Sequence, residues 1–334
     1  MTIVDSLPHN KWIKFVEQHP TGNIFHTPFM MDVFRGAKDY EPFLFAAIDE
    51  ANHKIVSLIT PAMVKIFTNS LLKLFSSRMI CYGGIIHSAD NNGGLSNLLE
   101  FYDHSFKKRS LFTEIRNMHS TELFKNEMIA GGYQYEEYLN YLIELRRDTS
   151  RIFRSFSESR RRNIKALEKK GIYVKEVTDR NSIEKIYEIL QETYSRIQVP
   201  LADISLFESA RKHLFDKGMV KFFLAKLKDE AVAALVALLY KGVIITWYYG
   251  SNTEFRRLSP ESSIIWHLIK WGSQKGYQSL DFGGAGRPDE KYGVRDFKCR
   301  FHGVLTNYGR YTKIYSPTIF NLSKMGYQIY RKIL

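Results

Sequence analysis

Residues 259–286 read SPESSIIWHLIKWGSQKGYQSLDFGGAG, and the order of signals in this stretch decides the fold. Ser259 is placed to cap a helix, Pro260 suits a first turn whose N–H needs no partner, and Gly276 tolerates the left-handed conformation that ends it. A helix over residues 260–275 is therefore followed by a strand over 279–282, which runs into Gly283-Gly284-Ala285-Gly286. Upstream, the pattern predicts a strand at 172–177, helices at 182–196 and 205–215, and strands at 220–227, 231–240 and 243–249. Strand, two helices, a three-strand meander, helix and strand make one mixed α/β domain.

The first half has the same style with weaker punctuation. It reads as short helices at 10–18 and 28–35, strands at 43–48 and 55–64, a strand near 79–82 leading into Gly83-Gly84, a helix around 95–107, and strands at 112–115 and 133–145. No residue motif recurs between the halves; only the order of elements does. At 334 residues the chain exceeds what one core usually sustains. The charged segment Arg146-Arg147-Asp148-Thr149-Ser150 marks the boundary, giving domains over 1–148 and 149–334.

Hydrophobic residues make up 44% and aromatics 14% of the chain, with no low-complexity tract, which disfavours disordered and fibrous classes. The longest apolar run, 231–239, is about half of what a bilayer crossing requires. The N-terminus lacks the basic and apolar regions of a signal peptide, so a cytoplasmic address is expected, with the inner face of the membrane as its variant. Cys81 and Cys299 stand in no metal or redox spacing and read as reduced thiols. The net charge of +13 is uneven: residues 1–148 hold 15 Lys+Arg against 17 Asp+Glu, and residues 149–334 hold 33 against 18. The second half suits a polyanion, whether nucleic acid, a nucleotide-linked substrate or an anionic lipid surface; a basic solvated surface accounts for the charge equally well.

The sharpest segment continues from Asp281-Phe282-Gly283-Gly284 through Tyr292 to Phe297-Lys298-Cys299-Arg300-Phe301-His302-Gly303. Glycines after a strand end let backbone pass close to a ligand, and five basic residues between Arg287 and Arg300 put positive charge beside it. A binding loop follows, with Gly283, Gly284, Tyr292 and Phe297 as its substrate-binding residues. These motifs resemble the carboxy-terminal signature of the FemABX-type peptidyltransferases. The likeness extends from Ile24-Phe25-His26-Thr27-Pro28 through Tyr82-Gly83-Gly84. It implies two tandem acetyltransferase-like (GNAT) domains of α/β class, each a mixed central sheet flanked by helices. It also implies transfer of an amino acid from aminoacyl-tRNA to an amine of a nucleotide- or lipid-linked envelope precursor. By the same likeness Lys298 is the catalytic residue, a fixed ammonium beside the oxyanion of aminolysis. His302 departs from the family's usual glycine, and the helical-hairpin arm of some members has no counterpart.

Three further groups complete the candidate site. Ser157 can cap a helix ended by Gly171; on it Arg161 and Lys165 fall on one side with Arg162 and Lys169, suited to phosphates, while Arg160, Ile164 and Leu167 fall on another. The loop 249–259 carries Arg256 and Arg257, where acyl-CoA-dependent enzymes of this fold hold a pyrophosphate. Leu258-Ser259-Pro260 replaces the glycines that close backbone approach would favour, which weakens an acyl-CoA donor. Arg35, beside the 24–28 motif, takes by resemblance the contact to the acceptor's phosphates. No His, Cys, Asp or Glu set has metal spacing, so neither metal nor cofactor is expected. Partners expected are tRNA and the envelope precursor, with peripheral membrane contact as a lesser use of a terminal helix at 319–333, whose main use is packing on the second domain. DNA is not among them. The rivals are an acyl-CoA-dependent N-acyltransferase acting on an amino sugar or polysaccharide precursor and a non-catalytic RNA-binding scaffold.

Overall fold

Seven strands form one sheet in the order Ile172–Val177, Val220–Leu227, Glu230–Tyr240, Val243–Ser251, Ser279–Gly284, Leu139–Glu144 and Val304–Asn307. Neighbours are antiparallel except Val243–Ser251 and Ser279–Gly284, which run parallel across the helix Glu261–Gln274. Strand Glu230–Tyr240 lies inside the sheet, and every residue from Ala231 to Leu239 is buried. A strand covered on both faces reads as a continuous apolar run, which is why this segment is the most hydrophobic in the chain. Helices Glu158–Lys169 and Glu261–Gln274 pack their Ile164, Leu167, Ile264 and Leu268 against Phe223, Ala225 and Leu235 on one face. Helices Arg180–Arg196 and Ile204–Leu214 reach the other, where Tyr194 and Phe207 meet Tyr248.

In this computed structural model, which describes residues 1–65, 77–88 and 93–323, the sheet belongs to a unit spanning Tyr138–Asn307. The other unit is made of Met1–Glu137 together with Tyr308–Leu334. The expected boundary at 148/149 is therefore displaced. The stretch read as one strand over 133–145 is two: Gln134–Glu136 stays with the first unit, and Leu139–Glu144 inserts beside Ser279–Gly284 in the second. The chain then returns, because Arg310–Ile314 pairs with Phe112–Asn117 on one side and Gln134–Glu136 on the other.

The first unit carries two sheets. Four strands run in the order Thr2–Val4, Phe45–Ile48, Ile55–Ile59, Ile86–His87; six run Tyr40–Pro42, Ala62–Val64, Arg78–Gly83, Phe112–Asn117, Arg310–Ile314, Gln134–Glu136. The 55–64 strand expected from sequence is broken at Thr60-Pro61, where proline withholds a ladder donor and the chain passes from one sheet to the other. Helix Gly94–Phe106 packs Leu95, Leu98, Leu99 and Tyr102 on Met79, Cys81, Ile115 and Tyr311. At its buried end Asp103 accepts from the Tyr133 hydroxyl at 2.8 Å, the Tyr315 hydroxyl at 2.7 Å and Lys313 Nζ at 2.6 Å. Lys313 also donates to the Gly131 carbonyl at 2.6 Å, so this cluster ties the returning segment to the helix. Phe320 meets Phe112 of the first unit, so the described start of the expected terminal helix packs there and not on the second domain; residues 324–334 lie outside the described residues.

Two local expectations also change. Ser259 does not cap the helix: it sits at φ +53° and closes the short 3-10 turn Thr253–Leu258, leaving Pro260 as the N-cap of Glu261–Gln274. Within the expected binding loop lies a short helix, Gly293–Cys299. The stop at Gly276, at φ +80°, falls as expected. No helix among the described residues is long and apolar enough to cross a membrane.

Candidate active site

The parallel strands of the second unit pair only through Val243↔Ser279, Ile244↔Leu280 and Ile245↔Asp281. Immediately beyond, the register of Val243–Ser251 against Glu230–Tyr240 slips, with Ala237 opposite Thr246 and Val236 opposite Tyr248, leaving Trp247 as an extra residue. A bulge raises local twist, and it carries the rest of this strand along Glu230–Tyr240 while Ser279–Gly284 continues along Leu139–Glu144. The sheet opens between them. The last link is the Thr246 hydroxyl donating to the Asp281 carbonyl at 3.3 Å.

Helix Gly293–Cys299 touches both sides of this opening. Phe297 stacks on Tyr249 of one strand, with ring centres 6.0 Å apart. Lys298 is 3% exposed, and its Nζ donates to the carbonyls of Phe282 at 2.6 Å, Gly283 at 3.1 Å and Gly284 at 2.8 Å on the other. An ammonium has three hydrogens, and all three are engaged by backbone. The direct oxyanion contact expected for Lys298 thus requires one of these bonds to be given up. Burial lowers its pKa to about 7, opposed by the nearby Asp281 charge. Asp281 is itself buried, and burial raises its carboxyl above the usual range despite hydrogen bonds from Asn140 Nδ2 at 2.8 Å and the Gly283 N–H at 2.6 Å.

Arg160 locks the helix from behind. It is 4% exposed and donates to the Ser262 hydroxyl and, at 3.2 Å, to the Phe297 carbonyl, with its guanidinium 4.3 Å from the Phe297 ring centre. Burial pulls its pKa down to about 10, helped by Arg300 and opposed by Glu261. The Tyr249 hydroxyl forms no hydrogen bond among the described residues, and burial drives its pKa upward, with Tyr194, Glu261 and Tyr292 adding in that order. At the first turn of Glu261–Gln274, the Glu261 carboxylate accepts from the Ser251 hydroxyl at 2.5 Å.

The structure brings Lys298, Phe297 and Gly283 together and separates the rest. At Gly283 a side chain would meet only the Thr246 carbonyl, at 3.8 Å, so that position is open; at Gly284 it would strike the Tyr138 ring at 2.6 Å, so packing, not ligand approach, explains that glycine. Tyr292 precedes the helix and packs over Gly286. Arg161 turns back to the Arg154 and Phe156 carbonyls at 2.6 and 2.5 Å, capping the helix Thr149–Ser155 instead of facing outward as expected. Lys165, Arg256 and Arg257 are exposed. Arg35, in the first unit, is exposed and paired with Asp32 one turn earlier. Sequence reasoning passed over Arg160 and Tyr249. Arg160 had a signal, a charge in the row with Ile164 and Leu167 that faces the core; Tyr249, one aromatic in a run of three, had none.

Residues 154–298 match the acetyltransferase (GNAT) domain family. No curated protein matches the chain significantly in sequence. Among solved structures, FemX superposes with a TM-score of 0.70 at 16% identity, covering 99% of this chain and 100% of that one. A tandem GNAT protein from the clavulanic acid biosynthesis pathway gives 0.60 at 8% identity, covering 95% and 99%. L-PGS from Bacillus licheniformis gives 0.59 at 14%, covering 97% and 98%. The chain shares its fold with FemX and with the tandem GNAT protein, and the matched domain lies in the unit that holds the opened sheet.

Proposed function

We propose that this chain is an aminoacyltransferase that moves an activated amino acid from aminoacyl-tRNA to an amine of a nucleotide- or lipid-linked envelope precursor. The observation that carries the choice of donor is the first turn of the helix Glu261–Gln274. A CoA diphosphate bound there would rely on free N–H groups at a helix N-terminus. Pro260 offers none, and the Glu261 carboxylate held by Ser251 already places negative charge at that end. An aminoacyl ester brings no diphosphate to this turn. The exposed Arg162, Lys165 and Lys169 on the helix Glu158–Lys169 give the tRNA backbone a basic face.

In this reading the amine nitrogen attacks the ester carbonyl, the C–O bond to the ribose breaks, and the proton leaving the amine balances the one gained by the ribose oxygen. Positioning of ester and amine supplies much of the rate. Lys298 holds the carbonyls of residues 282–284 in place and sets its charge beside the developing oxyanion. The acyl-CoA reading keeps one support, the GNAT match over 154–298.

Filter binding separates the readings: aminoacylated against deacylated tRNA, at two salt concentrations, with acetyl-CoA as competitor. Preference for charged tRNA that survives the higher salt is expected. Displacement by acetyl-CoA would replace the donor with an acyl-CoA, and equal, salt-sensitive binding of both RNAs with no product would make the chain a scaffold.

A further inference from the structure

The seven-stranded sheet of the second unit ends in two edges that are built differently. Strand Ile172–Val177 carries Lys175 and Glu176, and charges of this kind keep other chains from pairing with an edge. Strand Val304–Asn307 carries none. It pairs with Leu139–Glu144 on one side, from Leu142↔Val304 to Leu139↔Asn307, and with no strand on the other among the described residues. Val304 is 65% exposed and Leu305 51%. Because consecutive side chains point to opposite faces, this strand is bare on both. An apolar, uncharged and uncovered edge is a template for an added strand.

The edge is also held in shape. Gly303 enters it so close to its neighbour that a side chain there would meet the Leu142 carbonyl at 2.8 Å. At the far end Asn307 Oδ1 accepts from the Tyr138 N–H at 3.0 Å, and the Thr306 hydroxyl donates to the Asn140 carbonyl at 3.4 Å. An added chain meets a preformed strand and has only itself to order. Ile143 and Glu144 continue Leu139–Glu144 past the start of this edge strand. There they line a groove of about 280 Å³ together with Arg147, Arg151, His302 and Val304. Arg147 pairs at 2.6 Å with Glu144, the one carboxylate in the lining. Arg151 is exposed and forms no ion pair among the described residues. The charged segment that reads in sequence as a domain boundary therefore places an excess of arginine at one end of the bare edge.

We propose that Val304–Asn307 receives an extended peptide as a further strand of this sheet, apolar where it crosses Val304 and Leu305 and acidic where it reaches Arg147 and Arg151. Antiparallel pairing is the more stable arrangement, and it brings the peptide's carboxy-terminal end to the groove. Charge selects the occupant. A second copy of this chain, paired the same way, would set its own Asn307 against Val304 and bring no carboxylate. An acidic peptide supplies one, and arginine takes a carboxylate in a paired fork. The proposal is independent of the donor and acceptor of the transfer reaction.

Fluorescence anisotropy of the full chain with two labelled peptides tests it, both alternating valine and threonine, one ending in two aspartates and the other in two lysines. Saturable binding of the aspartate peptide is expected, about tenfold tighter than that of the lysine peptide, with amide hydrogen exchange slowed at residues 304–307. Val304→Lys, which puts a charge on the edge, is expected to remove the binding. Arg151→Glu is expected to reverse the preference between the two peptides, a result that an unfolded variant does not give. No binding of the aspartate peptide by the wild type, equal binding of both peptides, or unchanged exchange at 304–307 overturns the proposal. A wild-type dimer in sedimentation that Val304→Lys converts to monomer overturns it in favour of a second copy.

Discussion

Among the described residues each unit holds one parallel strand pair joined by a helix, and the two pairs end differently. In the first, Arg78–Gly83 and Phe112–Asn117 stay paired from Met79↔Thr113 to Gly83↔Asn117. In the second, pairing stops after three residues, where the bulge at Trp247 turns one strand away. The closed pair leaves no gap for a ligand between its strands. The open one exposes strand-end backbone, and there the chain places a buried lysine, a stacked phenylalanine and a tyrosine hydroxyl that has no hydrogen bond among the described residues. Each unit also spends a lysine on backbone carbonyls. Lys313 has Asp103 as a direct counter-ion; Lys298 has only the more distant Asp281 charge. Equivalent architecture thus holds one lysine against a direct counter-ion and the other at the mouth of an opened sheet.

The comparison breaks most sharply at the two lysines. Lys298→Ala is expected to cut aminoacyl transfer by about 10²–10³, while Lys313→Ala leaves transfer per folded molecule unchanged; single-turnover assays on both variants measure this, and full turnover in Lys298→Ala would end its assignment. Next, Asp103→Ala should destabilise the first unit by about 3 kcal/mol, since Lys313 and two tyrosine hydroxyls lose their acceptor. Urea unfolding reads it, and a loss under about 0.5 kcal/mol would mean that the cluster is solvated.

A pH series sharpens the contrast further. Lys298 titrates near 7 in the folded chain against 10.5 as an ordinary lysine, so between these values the unfolded state binds more protons and stability from this site rises with pH. Lys298→Met should remove that rise between about pH 7 and 10; a curve parallel to wild type would place the ammonium in solvent. The smallest effect is expected from Glu261→Gln. Removing one charge at a helix N-terminus should improve acetyl-CoA binding about two- to fivefold, checked by competition against tRNA.

Much of the second unit was legible because its elements carry their own punctuation. Gly276 ends a helix, and the run 231–239 can only be a covered strand. The first unit was less so: its strand break at Pro61 and its shared strand at Arg310–Ile314 depend on pairings across long separations that no local pattern records. The site divides along the same line. Phe297 and Lys298 sit in a segment whose composition announces them, whereas the opening itself comes from a one-residue register slip at Trp247, visible only once the strands are aligned. Arg161 and Gly284 misled because a surface arginine and a loop glycine have structural uses that look the same in sequence.

The returning strand Arg310–Ile314 also sets the order in which the protein can be made. Its two neighbours, Phe112–Asn117 and Gln134–Glu136, leave the ribosome long before it, with the whole of Tyr138–Asn307 between. Closing so long a loop carries an entropic cost and is slow, whereas the second unit is one continuous segment that can fold as soon as it emerges. During synthesis the nascent first unit must wait with a vacant slot in its six-stranded sheet until the strand Arg310–Ile314 emerges to fill it.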